Sequence, residues 1–287
     1  MRDDSAVLVL GANGRLGQML WRHWPEGGQL CGQSRRPVAG LSQFDPLVET
    51  AELKDAVSRA GVVICLSGIT PAHAAATGDA MELNTDLALA AIDAAPADVR
   101  VFVASSAAVY GAADGPHLES DAGTPVSTYG HAKRAMEQAA LAHGQGRVCV
   151  LRIGNVAGAD AILGGWRAGF ALDRLPEGGT PRRSYIGPQS WAHVMYALCN
   201  AETLPDILNI AAPGVVAMGD LLDAAGLAWT ARAPQDEVIA EVALDTTALE
   251  RLYSFETDEC TAQGMVAQWK LGKTYDDWAN EMTGQIR

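Results

Sequence analysis

Serine, tyrosine and lysine stand in an order that suits proton transfer: Ser105-Ser106, then Tyr129, then Lys133. Tyr129 and Lys133 are four positions apart, so on a helix they share one face and the ammonium lies beside the phenol. Free tyrosine has a pKa of about 10 and is a poor acid or base at neutral pH. Because a neighbouring positive charge favours the phenolate, the spacing predicts a tyrosine whose pKa is lowered into the working range.

A glycine-rich turn opens the chain. Gly11, Gly14 and Gly17 follow the apolar run Ala6–Leu10 at three-residue intervals. They would allow a tight turn, close approach of backbone to a pyrophosphate, and close packing of a helix whose first N–H groups face the phosphates. A plain strand–helix turn is the alternative. Upstream of Tyr129, this turn predicts a bound dinucleotide and hydride chemistry at a carbonyl or alcohol carbon.

The second strand indicates which dinucleotide is bound. An NAD site needs a carboxylate at the end of this strand to bond the ribose hydroxyls, but residues 27–44 contain neither Asp nor Glu. The segment carries Ser34, Arg35 and Arg36 instead, and a guanidinium pairs well with a 2′-phosphate. Arg15 in the glycine-rich turn could reach the same phosphate. The pattern favours NADP over NAD, unless these arginines are only solvated surface.

Composition excludes several classes of function. With 21 basic and 34 acidic residues the net charge is −13, a field that repels nucleic acid. No apolar run is long enough to span a membrane, and the residues before the first strand are too few for a signal peptide. The five cysteines and six histidines lack disulfide or metal-ligand spacing, which predicts a reducing cytoplasm and no metal.

Short apolar runs alternate with helical segments, which predicts an α/β fold: a Rossmann-type doubly wound parallel sheet with a smaller C-terminal substrate lobe. We expect residues 1–156 to form the dinucleotide-binding domain and residues 157–287 mainly the lobe, with about 185–210 returning to the Rossmann core. The predicted strands are 6–10, 29–33, 62–66, 100–104, 148–153 and 207–210. The predicted helices are 16–24, 51–60, 81–94, the one bearing Tyr129 and Lys133, 191–199, 221–227, 245–252 and a last one from 269 onward.

These motifs together resemble the extended short-chain dehydrogenase/reductases, the NAD-dependent epimerase/dehydratase family that includes UDP-galactose 4-epimerase. The resemblance is specific from Val7 to about Gly158 and looser to Ala197. The matching stretches are Gly11–Gly17 (with Asn13 and Leu16), Asp45, Leu66-Ser67-Gly68, Asn84, Val103–Gly111, Tyr129–Lys133 and Leu151–Gly158.

The resemblance implies a role for each matching residue. Ser106 would hold the substrate oxygen while Tyr129 passes the proton, and Lys133 would bond the nicotinamide ribose. Asn155 would touch substrate, or be only a turn residue. The remaining residues are implied on the cofactor side: Asp45 at the adenine amine, Leu66 and Gly68 in the loop whose Ser67 lines the nicotinamide with Ser105 (or Ser105 is only a strand-end hydroxyl), and Asn84 bracing that loop.

Departures from the family narrow the chemistry. The sugar 4,6-dehydratases place an Asp-Glu pair after the catalytic hydroxyl residue, whereas Ala107-Ala108 stand here, so no acid is evident for expelling water. A cysteine for epimerisation of the GDP-fucose synthase type is missing at Ala107 as well. What remains is net reduction or oxidation of a nucleotide sugar or small oxo compound, or an NAD-retaining sugar 4-epimerase cycle. A non-catalytic dinucleotide-sensing regulator is the alternative of another class.

The C-terminal half is less informative. Arg183 and Tyr185 could hold a substrate phosphate or carboxylate, although Arg183 is equally well explained as an exposed loop charge. Trp166 and Trp191 are candidates for stacking on a base, although a tryptophan on a helix more often packs in a core. The resemblance also implies a possible homodimer built on the helix that bears Tyr129.

Overall fold

The computed structural model describes residues 6–234 and 238–272. The strands are β1 Ala6–Leu10, β2 Leu30–Ser34, β3 Ser42–Gln43, β4 Ala60–Cys65, β5 Arg100–Ser106, β6 Val148–Ile153, β7 Asn155–Val156, β8 Ala171–Asp173, β9 Arg182–Arg183, β10 Tyr185–Ile186, β11 Ile207–Ile210, β12 Val216–Ala217, β13 Thr230–Arg232 and β14 Glu241–Val242. The helices are α1 Arg15–His23, α2 Thr50–Ser58, α3 Pro71–Thr77, α4 Leu83–Ala94, α5 Thr128–Gly144, α6 Pro188–Asn200, α7 Met218–Ala225, α8 Thr247–Glu250 and α9 Ala262–Leu271.

Seven strands form one parallel sheet in the order β11-β6-β5-β4-β1-β2-β3. The order reverses at β1, which lies between β4 and β2. Parallel strands need crossover connections, and these put helices on both faces of the sheet. The predicted Rossmann-type α/β fold is thereby confirmed.

Successive side chains of a strand point to opposite faces, and β1 shows this directly. Val9 packs in the cluster formed with α1 and α6, where Trp191 is fully buried. Leu10 packs in the cluster formed with α2, α4 and α5, together with Ile92. Fully burying one such side chain stabilises the fold by about 1.5–3 kcal/mol. Both faces of the sheet are therefore closed to water.

A smaller lobe follows β6 in the chain. It contains short strand pairs and a three-stranded sheet in the order β12-β9-β14. A separate core built around Tyr185, Leu221, Leu222 and Met265 holds it together. The chain leaves this region to form α6, which packs on α1, and β11, which extends the main sheet beside β6.

Several predicted boundaries differ from the structure. The last described helix begins at Ala262 and ends at Leu271, so the predicted start at residue 269 was wrong, and residues 273–287 lie outside the described part. The predicted helix 245–252 is only the short α8. Helix α3 was not predicted: Pro71 occupies its first turn, and Thr70 caps it by accepting from His73 N (3.2 Å).

Candidate active site

Two side-chain caps place the reactive groups at the carboxyl edge of the sheet. Ser106 is the last residue of β5, and its hydroxyl accepts from Ala108 N (3.2 Å) to start a short 3-10 helix. Ser127 accepts from Gly130 N (3.0 Å) and fixes the beginning of α5. Because α5 starts at Thr128, Tyr129 lies in its first turn and faces the end of β5.

The structure brings Ser106, Tyr129 and Lys133 together. A hydrogen bond joins the hydroxyls of Tyr129 and Ser106, and the Lys133 ammonium lies 5.8 Å from the centre of the Tyr129 ring. Lys133 Nζ donates to Ala104 O (2.8 Å), and the side chain is only 4% exposed. The predicted proximity of phenol and ammonium is present in the folded chain.

The pKa of Tyr129 shifts opposite to the prediction. Burial raises it because a phenolate would lose its hydration, and this outweighs the hydrogen bond to Ser106, which acts in the opposite direction. Burial also lowers the pKa of Lys133, to about 8, against the opposing effects of Cys65 and Glu137. At neutral pH Tyr129 is therefore a phenol that holds its proton.

The glycine-rich turn fits a bound dinucleotide. Gly11 has φ +78°, and a Cβ there would lie 2.8 Å from Ser67 N, so only glycine allows this close approach. A Cβ on Gly17 would lie 2.4 Å from Ala12 O, where helix α1 packs on the turn. Gly14 is the N-cap of α1 and provides no side-chain cap, which leaves the helix start without a competing carboxylate or hydroxyl.

The loop Leu66–Gly68 lies against this turn and is held by Asn84. Asn84 Oδ1 accepts from Ile69 N, and its Nδ2 donates to Ile69 O and Met81 O, at 3.1, 3.1 and 2.8 Å. A Cβ on Gly68 would lie 2.7 Å from Asn84 Oδ1 and 3.3 Å from Lys133 Nζ. With Asn84 buried, its amide braces the loop and has no exposed face for a cofactor.

The predicted phosphate-binding arginines do not converge. Arg35 and Arg36 are exposed after β2; Arg36 N donates to Ser34 Oγ (3.2 Å), and Arg35 acts electrostatically on Asp79. Arg15 instead donates to Ala159 O (2.8 Å) and so connects the glycine-rich turn to the segment after β7. In this conformation Arg15 serves the contact between the two regions.

Two further residues close to β2, Asp45 and Gln33, make hydrogen bonds within the protein. Asp45 Oδ1 accepts from Leu47 N (2.9 Å) at the turn before α2. Gln33 was not predicted as a site residue. It is buried at 1% exposure; its Oε1 accepts from Gly11 N (3.0 Å), and its Nε2 donates to Phe44 O. An amide inside an apolar strand was the available indication that Gln33 anchors the glycine-rich turn.

Ser105 and Tyr185 do not face a ligand cleft. Ser105 Oγ donates to Glu137 Oε1 (2.6 Å) on the side of the sheet covered by α5. Tyr185 is 0% exposed, and its hydroxyl donates to Asp160 Oδ2 (2.9 Å), so in this structure the predicted substrate residue is engaged within the lobe. The Tyr185 ring lies in the core of the lobe, because burying an aromatic ring removes a large apolar surface from water and so stabilises the fold.

The other two predicted substrate residues lie nearby. Asn155 is half-buried on β7 and bonds the Tyr185 side chain. The Arg183 guanidinium donates to Arg182 O (2.7 Å) and Ile239 O (3.0 Å), which makes it a brace within the lobe. Burial raises the pKa of Asp160 beneath them. Of this group Asn155 lies closest in the chain to the end of β6, where the sheet edge opens.

The described residues form neither a metal site nor a membrane-spanning helix. Across 6–234 and 238–272, no three His, Cys, Asp or Glu side chains are grouped so that they could hold a metal ion. None of the helices within those same ranges has the length and apolar character needed to cross a membrane.

Solved structures with the same fold include nucleotide-sugar enzymes. The UDP-glucose 4-epimerase from Bifidobacterium longum, in complex with NAD+ and UDP, has a TM-score of 0.76 at 17% identity, covering 96% of this chain and 100% of that one. The UDP-N-acetylglucosamine 4-epimerase from Methanobrevibacter ruminantium M1 has a TM-score of 0.73 at 18% identity, covering 93% of this chain and 99% of that one. The dTDP-glucose 4,6-dehydratase from Bacillus anthracis has a TM-score of 0.72 at 13% identity, covering 97% of this chain and 100% of that one.

Identities this low establish a shared fold. The comparison with curated proteins found no match. A family model, however, matches residues 7–211, which span the glycine-rich turn, Ser106, Tyr129 and Lys133. This match covers well over half of the chain. The chain therefore belongs to the NAD dependent epimerase/dehydratase family.

Proposed function

We propose that the protein is an NAD(P)-dependent oxidoreductase of the extended short-chain type that acts on a carbonyl or alcohol carbon of a nucleotide sugar or small oxo compound. The observation that supports this most strongly is the joining of Ser106 and Tyr129 by a hydrogen bond, with Lys133 beside the phenol. This group lies at the sheet edge where parallel α/β folds bind ligands.

The chain's own residues would handle the proton and the substrate oxygen. The dinucleotide, when bound, supplies or takes up the hydride. Tyr129 holds its proton at neutral pH because burial raises its pKa, so it is suited to protonate the oxygen of a carbonyl under reduction. Ser106 would hold that same oxygen by hydrogen bonding. Asn155, at the start of β7, would orient the rest of the substrate.

Replacing the phenol tests this proposal. Tyr129→Phe should reduce turnover by about 10²- to 10⁴-fold, the usual contribution of a positioned acid or base, and leave dinucleotide affinity nearly unchanged. Turnover would be followed by NADPH absorbance over a panel of carbonyl substrates. Tyr196→Phe, which removes a hydroxyl from a ring packed on Trp24, is the matched control. Equal turnover in the wild type and Tyr129→Phe would refute the assignment.

We propose that the cofactor is NADP(H) in preference to NAD(H). The support is the absence of a carboxylate in residues 27–44 and the exposed guanidinium of Arg35 just after β2. Arg35→Ala should weaken NADPH binding much more than NADH binding, because only NADPH carries the 2′-phosphate. The exposed Arg251→Ala serves as control. Equal losses for both dinucleotides would leave NAD, the cofactor named for the Bifidobacterium enzyme, as the better assignment.

An NAD-retaining nucleotide-sugar 4-epimerase is the second candidate. Ala107 and Ala108 provide no acid for dehydration, so hydride transfer is left, either as net redox or as an oxidise–rotate–reduce cycle. Tightly bound NAD in the purified protein, with interconversion of 4-epimers seen by NMR and no net redox, would favour the epimerase. Cofactor binding with no turnover of either kind would favour the dinucleotide-sensing regulator.

We also propose a cytoplasmic homodimer. All five cysteines are free thiols in the structure, and three of them are buried, which suits a reducing compartment such as the cytoplasm.

The dimer is tested by mass. Light scattering on the purified protein should give twice the 30.1 kDa of one chain. A mass of one chain at micromolar concentration would contradict the dimer.

A further inference from the structure

A fully buried carboxylate lies one helical turn after Lys133. Glu137 on α5 is 0% exposed, and it accepts from Ser105 Oγ (2.6 Å) on β5. It also accepts from Arg152 Nε (3.1 Å) and Nη2 (3.0 Å) on β6. A buried charge is tolerated only when it is paired and hydrogen-bonded, and Glu137 meets both conditions.

Arg152 extends this contact to the segment between Ser106 and Tyr129. Its Nη1 donates to Tyr110 Oη (3.0 Å) and to the backbone carbonyls of Glu119 and Asp121 (3.2 Å each). The guanidinium also lies 4.8 Å from the centre of the Tyr110 ring. Glu137 therefore holds the catalytic helix, the ends of two strands and the connecting segment through a single carboxylate.

The charges around this carboxylate are unbalanced. Lys133 and Arg152 are both buried cations, at 4% and 1% exposure, and Glu137 is the buried anion beside them. The half-buried Arg134, on the same helix, also donates to Glu137 (3.3 Å).

Within residues 6–234 and 238–272, few groups have a contact with Lys133 or an electrostatic effect on it. Those groups are the Cys65 thiol of β4, the Ala104 carbonyl of β5, and Met136, Tyr129 and Glu137 of its own helix. Burial of the Cys65 thiol raises its pKa to about 11, so this group is neutral at pH 7. Among the described groups that act on Lys133, Glu137 is the carboxylate, and its charge opposes the loss of the ammonium charge that burial favours.

We infer that Glu137 is a positioning residue for the reaction: it fixes Ser105, Arg152 and the 110–124 segment against the catalytic helix and supplies the counter-charge of Lys133. The inference rests on the proposed function for its meaning in turnover, but its electrostatic part is independent of any substrate. Glu137 touches neither Ser106 nor Tyr129 and acts through its neighbours.

The test is a direct titration of Lys133 by NMR of lysine labelled at Cε and Nζ, assigned by difference from Lys133→Met. In Glu137→Gln, which keeps an acceptor but removes the charge, the Lys133 titration should move from about pH 8 to lower pH. Ser105→Ala removes one hydrogen bond and no charge, so it should leave the titration in place. An unmoved titration in Glu137→Gln would overturn the inference.

Glu137→Gln leaves Arg152 buried without its anion and could fail to fold. Glu137→Gln combined with Arg152→Met removes both charges, and its Lys133 titration should lie at lower pH than that of Arg152→Met alone, because these two variants differ only in the Glu137 charge. No difference between these two folded variants would equally overturn the inference. If the wild-type protein shows turnover, the turnover of a variant should fall about tenfold for each pH unit by which its Lys133 titration lies below the pH of the assay, because the charged fraction of Lys133 falls by that factor. If no turnover is found, the proposed function fails while the titration still decides the role of Glu137.

Discussion

Burying the Lys133 ammonium should cost stability, and the cost should vanish at high pH. Its pKa falls from 10.5 to about 8 in the native protein, chiefly because burial removes hydration. At 1.36 kcal/mol for each factor of ten, this corresponds to about 3 kcal/mol of unfolding free energy. Below pH 8 Lys133 is charged in both native and unfolded states, and the native state carries the full penalty. At pH 10.5 and above the native side chain is neutral and the penalty is largely gone.

The perturbation is Lys133→Met, which removes the titrating group and keeps most of the side-chain volume. The wild-type protein should become more stable relative to this variant by about 3 kcal/mol as the pH rises from 8 through 10.5. Urea unfolding followed by fluorescence of the seven tryptophans measures the difference. Other groups titrate in both proteins and cancel. The exposed Lys54→Met should give no such pH dependence. A constant difference between wild type and Lys133→Met across this window would contradict a lowered pKa for Lys133 in the native protein.

Three further predictions concern the glycine-rich turn, the loop Leu66–Gly68 and the lobe. Gly11→Ala should destabilise the protein by more than about 1 kcal/mol and abolish the dinucleotide binding measured by calorimetry, because at φ +78° the added Cβ would meet Ser67. Gly27→Ala, at φ +87° with open space around it, is the control and should show only backbone strain. Equal effects of the two substitutions would contradict the steric argument. Asn84→Ala removes two hydrogen bonds to Ile69, directly after the loop, and one to Met81, and should cost about 2 kcal/mol or more in urea unfolding, with unchanged stability as the contrary result. Tyr185→Phe deprives Asp160 of its buried donor and should lower stability by about 1–3 kcal/mol while KM stays constant; a raised KM would restore a substrate contact.

The sheet was predictable because its strands are continuous apolar runs. The observed first and last residues of strands β1, β6 and β11 are those that were predicted. These strands are buried on both faces, so each is a nearly continuous apolar run that begins directly after a polar residue. The meeting of Tyr129 with Lys133 was predictable from helical spacing alone. The segment 107–127 brings Ser106 to Tyr129 and Lys133. Only the family resemblance indicated that Ser106 would meet these two residues.

The buried polar contacts could not be read from the sequence. Arg152 stands inside an apolar strand and Gln33 inside another, which marks both as unusual, but their partners lie 15 and 22 positions away and meet only in the fold. The direction of the Tyr129 pKa was predicted wrongly for a related reason. Sequence spacing reports which charge is near a phenol, whereas the extent of dehydration depends on how several elements close over it.

The return of the chain from the lobe to the sheet has a consequence for synthesis. Strand β11 completes the edge of the sheet, and α6 covers α1 with Trp191, whose indole donates to Leu16 O (3.2 Å). About 210 residues must therefore leave the ribosome before α6 and β11 are available to cover the surface formed by the first fifty residues. A fragment cut after β7 would expose the apolar surface that belongs under α6, so we expect this fragment to aggregate when it is expressed on its own.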